Sequence, residues 1–306
     1  MPEPDLSTQI GPITLGNPTM LASGVMGSSL HTLQRAFDAG AGAVVSKSIG
    51  LEPRAGYQGP TVVEVDCGYL NAIGLANPGV HEFARELEEY GTLAFPLIAS
   101  VFGGSAEEIS AIIRILDGYA VSGFELNLSC PHVKGAGVEV ASNPELVREI
   151  VHAARSQTSK ILVAKLSAGV TSIVKTAEAA VDGGADALCA MNTLRAMAID
   201  IQTSRPLLSN VIGGLSGSAI KPVAVRCVYE ISEAVDKPVI GCGGVQNWQD
   251  ALEFLLAGAS AVQMGTALTY KGFDVFREVV EGLRKYMIEK NVENVKNLVG
   301  LAHTHQ

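Results

Sequence analysis

Short polar runs close several apolar stretches of this chain, and the residues in them are the kind that do chemistry: Ala22-Ser23-Gly24, Ser46-Lys47-Ser48, Asn127-Leu128-Ser129-Cys130, Lys165 and Asn192-Thr193. A lysine can pair a carboxylate, an asparagine amide both donates and accepts, and a thiol can act as nucleophile or general base. Gly243-Gly244 and Gly265-Thr266 end two further apolar stretches, where glycine lets backbone N–H groups approach a phosphate. Gly217, in GGLSG at 213–217, extends the same cradle. The plainer reading of these glycines is a set of tight turns. A phosphate-bearing ligand is the chemical expectation.

Lys165 has three uses open to it. It can stabilise negative charge at N1 and the C2 carbonyl of a reduced flavin, pair with a carboxylate inside the fold, or form a Schiff base. Cys130 lies in NLSCPHVKGAGVEVASNP, 18 residues that are longer than an ordinary strand-to-helix loop. Pro131, Gly135 and Gly137 suit a lid, and His132 and Lys134 favour the thiolate. The alternative is a structural cysteine at a strand end.

The elements that would position these residues are legible as eight short apolar strands: Thr19–Ser23, Ala43–Ser48, Leu97–Phe102, Gly123–Ser129, Ile161–Ser167, Ala187–Asn192, Pro238–Gly243 and Ala261–Gly265. Most are continuous rather than alternating, as parallel strands covered on both faces should be. Helical periodicity separates them, at 81–90, 106–116, 144–155 and 248–256, with Asn143-Pro144 reading as an N-cap and first helical residue. GAGAV at 40–44, GADAL at 184–188 and GASAV at 258–262 repeat one helix-to-strand loop. Eight alternations predict an α/β fold, a (β/α)8 TIM barrel, with TQIGPITLGNP at 8–18 as a hairpin closing its N-terminal face. In such a barrel the polar strand ends converge on one rim. A doubly wound sheet is the competing fold, but no GxGxxG opens the first unit. Nothing marks a boundary, so residues 1–306 read as a single domain.

Composition agrees. The 306 residues are 47% apolar, 17% charged and 5% aromatic, with 33 glycines, which excludes a disordered chain. A net charge of −9 with no basic patch argues against nucleic acid. The N-terminus has no signal-peptide pattern and no apolar run reaches a membrane span, so a cytoplasmic protein is expected. Five scattered cysteines, Cys67, Cys130, Cys189, Cys227 and Cys242, support neither a disulfide framework nor a metal site. Cys189, Cys227 and Cys242 read as small buried hydrophobes.

ASG at 22–24, SKS at 46–48, NAIGLANPG at 71–79, ELNLSCPH at 125–132, NT at 192–193, GGLSG at 213–217, CGGV at 242–245 and MGTAL at 264–268 together resemble the family 1 dihydroorotate dehydrogenases. GGLSGSAIKP and NTLRAMAID look most like the type B catalytic subunit. The resemblance implies oxidation of dihydroorotate to orotate in pyrimidine biosynthesis, with FMN held by Ser23, Lys47, Ser48, Ser100, Asn127, Lys165, Met191, Gly217, Gly243, Gly244, Gly265 and Thr266. It implies substrate contacts from Lys47, from the turn Asn71, Ala72, Ile73, Gly74 and Leu75, and from Asn127, Asn192 and Thr193, with Cys130 as base. A homodimer pairing with an iron–sulfur flavoprotein subunit is implied too, a heterotetramer in which FAD, a [2Fe-2S] centre and the link to NAD belong to that partner. The chain itself has no cysteine cluster for such a centre and no dinucleotide fingerprint. It departs from the pattern at Ser100, usually Asn, and at His132 in SCPH, often SCPN. Competing readings are another flavin barrel dehydrogenase, a fumarate-type acceptor, a flavin-free lyase using Lys165 as a Schiff base, and a non-catalytic barrel subunit.

Overall fold

Eight parallel strands pair in chain order and close on themselves: β1 (Thr19–Leu21), β2 (Ala43–Val45), β3 (Leu97–Val101), β4 (Gly123–Asn127), β5 (Ile161–Lys165), β6 (Ala187–Ala190), β7 (Val239–Cys242) and β8 (Ala259–Met264). The computed structural model describes residues 3–128 and 140–305. The continuous apolar runs are explained by what covers them. Leu21, Val44, Leu97, Phe124, Leu162 and Val262 face the helical layer, and Met20, Val45, Ile98, Val163, Ile240 and Ala261 fill the interior. Alternate residues thus meet two different cores.

The surrounding helices are α1 (Leu30–Asp38), α2 (Val80–Tyr90), α3 (Ala106–Leu116), α4 (Pro144–Arg155), α5 (Ile173–Asp182), α6 (Lys221–Ala234), α7 (Trp248–Leu256) and α8 (Val275–Glu289). Polar caps start five of them. Ser29, Ser105, Asn143, Ser172 and Asn247 each accept a backbone N–H of the first turn, and Pro144 follows its cap as expected. In the three repeated loops Gly40, Gly184 and Gly258 have φ of 111°, 103° and 112°, where a β-carbon would strain the turn. One repeated sequence is therefore one repeated helix-to-strand turn.

The N-terminal hairpin forms from Thr8–Ile10 and Ile13–Leu15. Ile10 and Leu15 join the interior cluster with Met20, Ile161 and Ile240, plugging the N-terminal end of the barrel. That leaves the C-terminal end to carry polar groups.

The strands stop earlier than the sequence suggests. β1 ends at Leu21, β2 at Val45 and β6 at Ala190, so Ser23, Lys47, Ser48, Asn192 and Thr193 stand just past the ladder. There single backbone bonds, such as Ser46 N–H to Ile98 O and Asn192 N–H to Leu166 O, continue beside side-chain bonds. A four-stranded antiparallel sheet over Val62–Val65, Gly68–Asn71, Gly213–Ser216 and Leu194–Ala196, and a hairpin of Ile199–Asp200 with Arg205–Pro206, were not legible. Each strand is two to four residues long, and Asn71 pairs with Gly214 across a sequence separation no local pattern encodes.

Candidate active site at the barrel mouth

Lys165 ends β5 and points into the interior, only 4% exposed. Its Nζ donates to Gln263 Oε1 at 2.7 Å and lies 3.5 Å from Glu125 Oε1. Gln263 Nε2 donates to Glu125 Oε2 at 2.6 Å, so amide, carboxylate and ammonium form a closed triangle between β4, β5 and β8. Burial alone would push the ammonium down, but the Cys242 thiol and the Glu125 carboxylate outweigh it and hold Lys165 above its usual range. A lysine kept protonated is a poor Schiff-base nucleophile. Of the uses open to Lys165, carboxylate pairing is the one made here, and it leaves a fixed positive charge at this position.

Above this triangle runs a chain of hydroxyls and amides. Ser100 Oγ and Ser48 Oγ are 2.9 Å apart, Ser48 and Ser23 hydroxyls 3.4 Å, and Asn127 Nδ2 donates to Ser48 Oγ at 3.1 Å. Asn192 Nδ2 donates to Asn127 Oδ1 at 3.3 Å, and Thr193 N–H donates to Asn192 Oδ1 at 2.8 Å. Residues from the ends of β1, β2, β3, β4 and β6 are thereby linked into one surface. Ser100 is fully buried and is joined to the mouth through the Ser48 hydroxyl, and the Met191 side chain is buried as well.

Lys47 is half-buried, and burial lowers its ammonium. Its backbone N–H donates to Gly27 O at 2.9 Å. The expected substrate turn folds with Asn71 Nδ2 donating to Gly214 O at 3.1 Å and Asn77 Nδ2 donating to Leu75 O at 2.8 Å. Ala72 is buried, while Ile73, Gly74 and Leu75 are part-exposed. The glycines of GGLSG have a second use here. A β-carbon on Gly214 would lie 2.1 Å from Thr193 Oγ1, and one on Gly213 would lie 2.5 Å from Asn71 O.

Three backbones crowd together at the other side of the mouth. A β-carbon on Gly244 would meet Lys221 Cβ at 2.7 Å and Gly217 O at 2.8 Å, and one on Gly217 would meet Gly68 Cα at 2.6 Å. Gly243 and Gly244 remain part-exposed, as do Gly265 and Thr266 after β8. This close-packed, accessible glycine backbone fits a phosphate, and Lys165 at the base of the mouth fits the electron-rich edge of a flavin.

Cys130, and with it Pro131, His132, Lys134, Gly135 and Gly137 of the expected lid, lie outside the described residues, as does Ser129. Sequence reasoning missed Glu125 and Gln263. The signal was present, because a carboxylate in GFELN and an amide in ASAVQM interrupt strands that are buried but for one residue each, and buried polar groups need a reason. It also read Cys242 as inert. The Cys242 thiol takes a hydrogen bond from Cys189 and faces Lys165, which together hold it down at about 7, whereas burial pushes the Cys189 thiol up.

A family model described as "Dihydroorotate dehydrogenase" matches residues 5–287. A Pyrococcus furiosus protein described as dihydroorotate dehydrogenase B (NAD(+)), catalytic subunit, is 52% identical over 95% of this chain and 96% of its own length. Proteins of the same description from Pyrococcus abyssi and Thermococcus kodakarensis are 49% and 48% identical, over 95% and 97% of this chain and 96% and 98% of their own. Among solved structures, an Eimeria tenella dihydroorotate dehydrogenase in complex with ferulenol superposes with a TM-score of 0.83 at 22% identity, covering 98% of this chain and 89% of that one. At that identity the likeness bears on the fold alone.

Proposed function

The chain belongs to the dihydroorotate dehydrogenase family, and from that premise we propose that it is an FMN-binding, single-domain catalytic subunit that oxidises dihydroorotate to orotate. The observation that carries the reading is Lys165, held as a cation by Glu125 and Gln263 at the floor of a mouth whose other side is glycine backbone. FMN, when bound, supplies the acceptor for the hydride from C6 of dihydroorotate.

Each residue then has a task. Gly217, Gly243, Gly244, Gly265 and Thr266 hold the phosphate through their backbone, and Ser23, Ser48 and Asn127 bond the ring system, with Ser100 fixing Ser48 from beneath and Met191 packing behind. Lys165 offers positive charge to the pyrimidine edge of the flavin. Lys47 pairs the substrate carboxylate. The Asn71–Leu75 turn, Asn127, Asn192 and Thr193 match the imide's donors and acceptors, since each asparagine amide supplies both. Cys130 takes the C5 proton as general base. Electrons leave to NAD through a partner subunit carrying FAD and a [2Fe-2S] centre, because this chain has no cluster of cysteines and no dinucleotide fingerprint.

The test is to supply the isolated chain with FMN, dihydroorotate and a dye acceptor. Orotate should accumulate at least a hundredfold faster than in the Cys130→Ala variant, and NAD should replace the dye only when the partner subunit is added. Equal rates in the two proteins would remove Cys130 from the role of base.

A further inference from the structure

We propose that Glu125 is a positioning residue whose carboxylate is the fixed counter-charge of Lys165, so that two-electron reduction of FMN in this mouth draws no proton to Lys165. The proposal rests on the FMN reading above and concerns a residue that touches neither FMN nor substrate.

The geometry is unusual for a merely structural carboxylate. Glu125 is 0% exposed on β4, with its Oε2 accepting from Gln263 Nε2 at 2.6 Å. Its Oε1 has no hydrogen-bond partner among the described residues and stands 3.5 Å from Lys165 Nζ, beyond a good hydrogen bond. A glutamine in its place would keep the bond to Gln263 without the cost of burying a charge, so shape and hydrogen bonding do not account for a carboxylate here. What only a carboxylate adds is negative charge beside Lys165. Gln263 orients the pair, since its one amide accepts from Lys165 and donates to Glu125.

The consequence is a charge state that does not depend on the flavin. Among the described residues, the titratable groups facing Lys165 are Glu125 on β4, Cys189 on β6 and Cys242 on β7. With Glu125 ionised, Lys165 is a cation whether the site above it holds oxidised or reduced FMN. Two electrons from the electrode then enter with one proton from water, which goes to the flavin. In Glu125→Gln the thiols of Cys242 and Cys189 still face Lys165, but with the carboxylate gone burial favours the uncharged amine until negative charge arrives on the flavin, and reduction takes up a second proton at Lys165 Nζ.

The experiment is an anaerobic spectroelectrochemical titration of bound FMN between pH 7.5 and 9.5, in the wild type, Glu125→Gln and the double variant Glu125→Gln/Lys165→Met. One proton per two electrons makes the equilibrium shift tenfold per pH unit, read as about 30 mV. The wild type should show that slope throughout. Glu125→Gln should steepen towards a hundredfold, about 60 mV, per pH unit, and the double variant should return to the wild-type slope. A Glu125→Gln slope parallel to the wild type overturns the proposal, and so does a wild type already on the steeper slope, a measurement that needs no variant to fold. A parallel Glu125→Gln line with a steepened Cys242→Ser line would move the counter-charge to Cys242 and overturn it also. A wild type that fails to bind FMN overturns the flavin reading instead, so the two failures are distinguishable.

Discussion

Lys47 shows how far one residue's environment sets a measurable property. Burial lowers its ammonium from the ordinary 10.5, so it loses its proton at lower pH than an exposed lysine would. Only the charged form pairs a carboxylate. Orotate affinity should therefore be flat through neutral pH and fall about tenfold per pH unit once pH exceeds the lowered value. In Lys47→Ala the affinity should drop by roughly 10–100-fold, the worth of a charge-assisted bond, and the alkaline fall should vanish. Orotate titrations followed by flavin absorbance read both. At this scale the sequence was informative about residues that end strands, since polar types at a barrel rim stand out from the apolar run before them. It was silent on the triangle beneath, because the pairing of Glu125, Lys165 and Gln263 depends on β4, β5 and β8 closing around one interior.

Two elements divide the work of the barrel ends. Gly244, with φ of 84° and Gly217 O where a β-carbon would go, lets the loop after β7 reach its place beside α6. Gly244→Ala should weaken FMN binding by at least tenfold and riboflavin binding by much less if, as proposed, that loop holds the phosphate. Fluorescence quenching on the apoprotein checks this. At the opposite end Leu15, 1% exposed in the hairpin plug, is pure packing. Leu15→Ala should cost about 2–5 kcal/mol in urea unfolding while FMN affinity under native conditions stays within twofold. The helices at 106–116, 144–155 and 248–256 were legible residue for residue from their apolar period, and at 144–155 the expected Asn143 cap agrees as well. The antiparallel sheet was not, because strands of three or four residues acquire their partners only after the barrel has brought Asn71 to Gly214.

At the scale of the whole molecule, chemistry and stability are separated along the barrel axis. The apolar interior beneath β1 to β8 and the hairpin plug form one end, and polar side chains with glycine backbone form the other. Among the described residues no helix is long and apolar enough to cross a membrane. The chain spans 95–97% of its own length in alignment with the three relatives and 96–98% of theirs, so the barrel and its added sheet are the shared unit. The central claim, that this mouth passes a hydride from dihydroorotate to FMN, is tested most directly by adding dihydroorotate to the FMN-loaded chain under anaerobic conditions and following the flavin absorbance. One equivalent should bleach the oxidised flavin band and release one orotate. A band that persists with excess dihydroorotate, in protein that has bound FMN, would contradict the account.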